Sequence, residues 1–136
     1  MNVVFDHGTP PRLAATLDGH LSPSGGRAVH VGDLPCGRHP SDIAWIEHLR
    51  GTGLAWTLVT GDLRLQRVPI RRFAFRQAGL GGILLAGAFQ ALEVDAQASL
   101  LLRRWPDVEA LVGPAAPPFL FELPGGRSSP LRALSL

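Results

Sequence analysis

The sequence predicts an α/β domain with a central, mainly parallel sheet. Short apolar runs alternate four times with segments of helical periodicity, and short connections of this kind imply right-handed crossovers and a sheet covered on both faces. Two of the apolar runs end in an aspartate. Val3-Val4-Phe5 leads into Asp6, and Trp56-Thr57-Leu58-Val59-Thr60-Gly61 leads into Asp62. In parallel sheets the functional crevice opens beyond the C-terminal strand ends, where strand order reverses. Both aspartates are therefore candidates for it.

Taken in order, Val3–Phe5 is a short buried strand. Thr9 can cap a helix opened by Pro10, whose stripe is Leu13, Ala14 and Leu17. Ala28–Val31 is the second strand, followed by a loop through Pro40. Ser41 reads as the N-cap of a helix Asp42–Arg50 with Ile43, Ile46 and Leu49 on one face. The strand ending at Asp62 comes next, then a loop with Pro69, a helix Ile70–Ala78 stopped by Gly79, and the strand Gly82–Ala86. A helix from Glu93 to Arg104 is broken at Trp105-Pro106, where a shorter helix runs to Val112. The sequence thus divides into a domain, 1–112, and a Pro-rich C-terminal arm, 113–136, that packs on the domain or on a partner. Within the arm, Phe119-Leu120-Phe121 is an edge strand or a packed island.

At 136 residues the chain is one domain in size, with 46% hydrophobic residues. No apolar run approaches the roughly 18 residues of a membrane span, and the N-terminus lacks the pattern of a signal peptide. The single cysteine, Cys36, allows no internal disulfide, so a free thiol and a cytoplasmic location are expected. All 13 basic residues are arginine. Without lysine, a Gly-Lys-Ser/Thr phosphate loop, Schiff-base chemistry and a lysine-dependent phospho-receiver site are excluded. A phosphatase using Asp6 as nucleophile is disfavoured, because Gly8 stands where its second aspartate belongs.

Asp42, in the first turn of its helix, can join Asp6 and Asp62. Each aspartate alone is also an ordinary turn former or helix cap. Together, three carboxylates with no histidine or cysteine partner suit Mg²⁺ or Mn²⁺ rather than zinc, since like charges at close range demand a cation. Such an ion can activate water against a phosphodiester.

Phe5-Asp6 with Pro10-Pro11, Ser41-Asp42-Ile43-Ala44-Trp45-Ile46 and Leu58-Val59-Thr60-Gly61-Asp62 resemble the PIN-like domain family. Gly82–Gly87, Leu101–Pro106 and Pro118–Glu122 resemble its VapC-type toxin branch. The resemblance implies an α/β/α sandwich, Mg²⁺- or Mn²⁺-dependent ribonuclease activity, and an antitoxin encoded beside the chain as its partner. It also implies that Asp6, Asp42 and Asp62 are the catalytic, metal-binding acids. The sequence departs from the family in two ways. Many relatives place an acid two residues after the one matching Asp62, where this chain has Arg64. No clear fourth acid follows the later strand, although Glu93 and Asp95 stand there as possible accessory groups or plain first-turn acids. A non-catalytic PIN-like binding module with a degenerate metal site is the alternative.

Arg64, Arg67, Arg71, Arg72 and Arg76 follow Asp62 closely, with Arg72 and Arg76 on one helix face. They form a candidate RNA grip, a solvated face, or a surface neutralised by an acidic antitoxin segment. His7 orients water or substrate, or caps its turn. His39 and His48 have no metal-ligand spacing, and Glu47 points away from Asp42. Phe73 and Phe75 are expected in the core, and Trp45 and Trp56 in the core or on a partner surface. An apolar C-terminal tail would suit a homodimer mate or the antitoxin.

Overall fold

A computed structural model describes residues 1–36 and 41–136. His39 and the end of the loop through Pro40 lie outside the described residues. The strands are β1 (Asn2–Phe5), β2 (Arg27–His30), β3 (Trp56–Thr60), β4 (Gly81–Leu85), β5 (Phe119–Leu123) and β6 (Arg132–Ala133). The helices are α1 (Pro11–Leu21), α2 (Asp42–Gly51), α3 (Arg64–Arg67), α4 (Pro69–Ala78), α5 (Gly87–Gln90) and α6 (Val94–Val112). The sheet runs β2-β1-β3-β4-β5-β6, with the first five strands parallel and β6 antiparallel to β5. This is the α/β sandwich with a mostly parallel sheet that the sequence predicts.

Both faces of the central strands are buried, as period-two alternation requires in a covered sheet. Val3, Phe5, Val59 and Ile83 pack with Leu13 and Leu17 of α1 and Leu101, Trp105 and Val108 of α6. Val4 and Leu58 face the other way, onto Trp45 and Leu49 of α2 and Phe75 of α4. Among the described residues no helix is long and apolar enough to cross a membrane.

Several local expectations are corrected. Trp105-Pro106 does not end a helix; α6 runs through it. Proline there removes one ladder bond, a cost of about 3 kcal/mol. Leu101, Trp105 and Val108, fully buried at i, i+4 and i+7, offset it at about 1.5–3 kcal/mol each. Phe119–Leu123 is neither an edge nor an island but an inner strand, and Gly81 explains its fit. A Cβ on Gly81 would fall into the Phe119 ring, so glycine lets that ring lie against β4. The short helices α3 and α5 and the closing strand β6 carry no sequence periodicity and were not expected.

On α2 the buried side chains are Trp45 and Leu49, while Ile43 is 72% exposed. On α4, Phe75 is buried and Phe73 is 59% exposed. Residues two apart on a helix point about 200° apart, so both rings cannot enter one core. Ser41 caps α2 as expected, its hydroxyl accepting from the Ala44 N–H at 3.2 Å. Thr9 does not cap α1; its hydroxyl donates to the Asp6 carbonyl at 2.8 Å and tightens the turn after β1.

Candidate acidic active site

Strand order reverses between β1 and β3: the chain goes from β1 to β2 on one side and returns to β3 on the other. The crevice expected at such a point is present. A polar cleft of about 450 Å³ opens there, lined by Asp6, His7, Gly8, Asp42, Gly61, Asp62, Arg64, Arg71 and Gln90. The fold thus brings all three sequence-predicted acids to one space, from the ends of two neighbouring strands and the first turn of α2.

Asp6 and Asp62 are joined through Thr60. The Thr60 hydroxyl donates to Asp6 Oδ2 in a short contact and accepts from the Asp62 backbone N–H at 3.0 Å. Thr60 is almost fully buried, so this bridge is held from inside the sheet. Asp6 Oδ1 is buried and, among the described residues, has no hydrogen-bond partner. It faces Gly8, where an added Cβ would come within 3.8 Å. Burial pushes the Asp6 carboxyl above its usual range; the Thr60 bond opposes this and the Asp62 charge adds to it.

Asp62 lies in the opposite situation. Arg64 grips it with a fork, Nε to Oδ1 at 2.9 Å and Nη2 to Oδ2 at 3.0 Å, and the Arg64 backbone N–H adds a third bond at 3.0 Å. Arg71 stands 3.5 Å from Oδ2. The Arg64 side-chain bonds, before all else, hold the Asp62 carboxyl below its usual range, and Arg71 contributes. Asp42 is exposed and accepts from Trp45 Nε1 at 3.1 Å.

The donor types of the three acids, oxygens only, suit a hard divalent cation, and Asp6 Oδ1 is buried without a side-chain partner among the described residues. The grouping is looser than the donor types suggest. Among the described residues, no three His, Cys, Asp or Glu side chains are gathered so as to hold a metal ion. Both Asp62 oxygens are engaged by arginine.

A family model described as a PIN like domain matches residues 1–87. The chain belongs to the PIN-like family. The matched region spans β1 through β4 and includes Asp6, Asp42 and Asp62, so the PIN-like match and the acidic cleft coincide. No curated protein and no solved structure matches the chain. A PIN-like domain is a nuclease-type fold, and this PIN-like chain keeps three acids at the reversal of its sheet.

Other sequence candidates are placed differently. His7 lines the cleft, its ring 6.4 Å from that of His30. Asp95 is not brought to the acids; it sits in the first turn of α6, paired with Arg12. Glu93 is exposed at the N-cap of the same helix, and Glu47 is exposed on α2. Arg72 donates to the Gln66 carbonyl at 3.1 Å, a contact that links α3 to α4. Arg67 and Arg76 are exposed beyond the lining of the cleft.

Arg71, named with the arginines after Asp62, does line the cleft, whereas sequence reading missed Thr60 and Gln90 as site residues. Gln90 Nε2 donates to the carbonyls of Gly61 at 3.0 Å and Leu85 at 2.9 Å, tying the turn that carries Asp62 to the end of β4. Only Thr60 carried a signal, a hydroxyl at the last strand position before Gly-Asp. Thr60→Val keeps the shape and removes the bridge. The Asp6 carboxyl is then expected to rise further, with the acid limb of any pH–rate profile moving to higher pH. An unmoved limb would show that Thr60 does not set the Asp6 carboxyl.

Proposed function

We propose that this PIN-like protein is an endoribonuclease that hydrolyses RNA phosphodiester bonds with Mg²⁺ or Mn²⁺, and that it is the toxin of a type II toxin–antitoxin pair. The observation supporting this is the convergence of Asp6, Asp42 and Asp62 on one cleft at the strand-order reversal. Asp6 and Asp42, with Asp62 once Arg64 releases it, are the residues to hold the ion. Bound there, a divalent cation supplies Lewis-acid stabilisation to the scissile phosphate.

The protein's own groups do the rest. Thr60 fixes the separation of the Asp6 and Asp62 arms, and Gln90 holds the Asp62 turn in register. Arg64 and Arg71 line the cleft and offer planar donors to phosphate oxygens, exchanging the Asp62 carboxylate for the substrate. Exposed Ile43 on α2 and Ile70 and Phe73 on α4 support an apolar contact with a partner protein, here an antitoxin, or with a second copy of the chain.

Incubation of the full chain with RNA is expected to give cleavage with Mg²⁺ or Mn²⁺ and none after chelation. A second reading, a binding module without catalysis, is favoured by one observation: the Arg64 fork already neutralises Asp62. Calorimetric titration separates them. Carboxylate-dependent Mn²⁺ binding supports the nuclease, whereas absence of both Mn²⁺ binding and cleavage leaves the binding module.

A further inference from the structure

Beside the polar cleft lies a second space of different character. It is about 140 Å³, close to the size of a buried cavity that accepts one benzene ring. Its walls are Trp45 and Ile46 of α2, Leu58 of β3, Ala74 and Phe75 of α4, and Leu80. The pocket sits between α2 and α4 above the sheet, and its polar end is formed by Asp6, Thr60, Asp62 and Arg71. Asp6, Asp42, Asp62 and Arg71 border both spaces. The apolar pocket and the acidic cleft therefore share one wall.

We propose that this pocket receives a single pyrimidine base from the nucleotide whose phosphate lies on the acids. The inference rests on the nuclease reading and adds a substrate preference to it. Three features select the occupant. The volume matches one six-membered ring. The walls carry two aromatic side chains, Trp45 and Phe75, which favour a flat ring over a branched aliphatic group. The polar end carries Arg71, whose N–H groups can donate to the ring carbonyl oxygens that both cytosine and uracil present.

The test uses small ligands and one pocket-filling variant. Ala74 is exposed on α4 at the pocket rim, so Ala74→Trp blocks the entrance without touching an acid. Binding of cytidine and uridine 5′-monophosphates, adenosine 5′-monophosphate and ribose 5-phosphate is measured by calorimetry on the full chain. The pyrimidine nucleotides are expected to bind about tenfold or more tighter than ribose 5-phosphate, in line with one base stacked on aromatic walls. Adenosine monophosphate should gain less. Ala74→Trp should bring the pyrimidine nucleotides down to the level of ribose 5-phosphate and leave ribose 5-phosphate itself unchanged.

If all four ligands bind wild type alike, or the variant keeps the discrimination, the pocket does not take a base, while the phosphodiester reading stands. If none binds and RNA is not cleaved, the nuclease reading fails and this inference with it. A variant that loses a protein partner but never discriminated between nucleotides assigns the pocket to that partner and overturns the proposal. Should Ala74→Trp not fold, Ile46→Phe fills the same space from α2 and is read in the same way.

Discussion

Alanine at Asp62 is expected to lower RNA cleavage by at least about a hundredfold while the protein stays folded. Asp62 stands on the turn after β3, with its side chain 28% exposed and engaged by Arg64 and Arg71. Removing an exposed, salt-screened pair of this kind costs little stability. The functional loss has a different origin. Without Asp62 the cleft loses the acid that Thr60 couples to Asp6, and two guanidinium groups remain with no carboxylate between them. Cleavage of a labelled RNA, together with a thermal melt of the same sample, measures both effects. Full activity in this variant would remove Asp62 from the mechanism.

Asp6→Asn should likewise abolish cleavage, yet make the protein more stable at neutral pH. Burial raises the Asp6 carboxyl above its ordinary value of 3.8. Between 3.8 and the raised value, the folded protein holds a proton that the unfolded chain has released. Stability therefore falls as pH climbs through that window, and the full cost is present above it. Asparagine carries no such cost. The advantage of the variant should be largest at neutral pH and vanish below pH 3.8, where both states of the wild type are protonated. Asp62 acts with the opposite sign: its lowered carboxyl contributes stability above its ordinary range that is lost as pH falls. Melting temperatures of wild type and Asp6→Asn across this pH range decide the matter. An equal difference at both ends would exclude the ionised carboxyl as its source.

The parallel sheet was legible because its signal is repeated. Val3–Phe5, Leu58–Val59 and Ile83–Leu85 are continuous apolar runs, and a strand buried on both faces has no other simple pattern. The three acids were legible for a related reason, since topology places strand ends together whatever the local turns prefer. The helices were less transparent. A proline inside α6 reads as a stop unless one knows that Trp105 and Val108 are fully buried on either side of it. The fifth strand was obscured because its fit depends on a missing side chain, at Gly81, far away in sequence.

Within the site, Arg64 was visible as the absence of an expected acid and as one of a run of arginines, but not as a partner of Asp62. Its fork onto Asp62 depends on the turn into α3, a helix of four residues that no periodicity announces. The contact that Arg72 makes was hidden for the complementary reason. Spacing puts it on the face of Arg76, but its guanidinium folds back onto Gln66.

The closing strand bears on how these molecules behave toward one another. An open sheet with a long bare edge invites the edge of another chain to pair with it and begin aggregation. Here the outermost strand on the β5 side is β6, only two residues long, and Arg132 on it is paired with Glu122 at 3.1 Å. So short and charged a border offers a second chain little to template on.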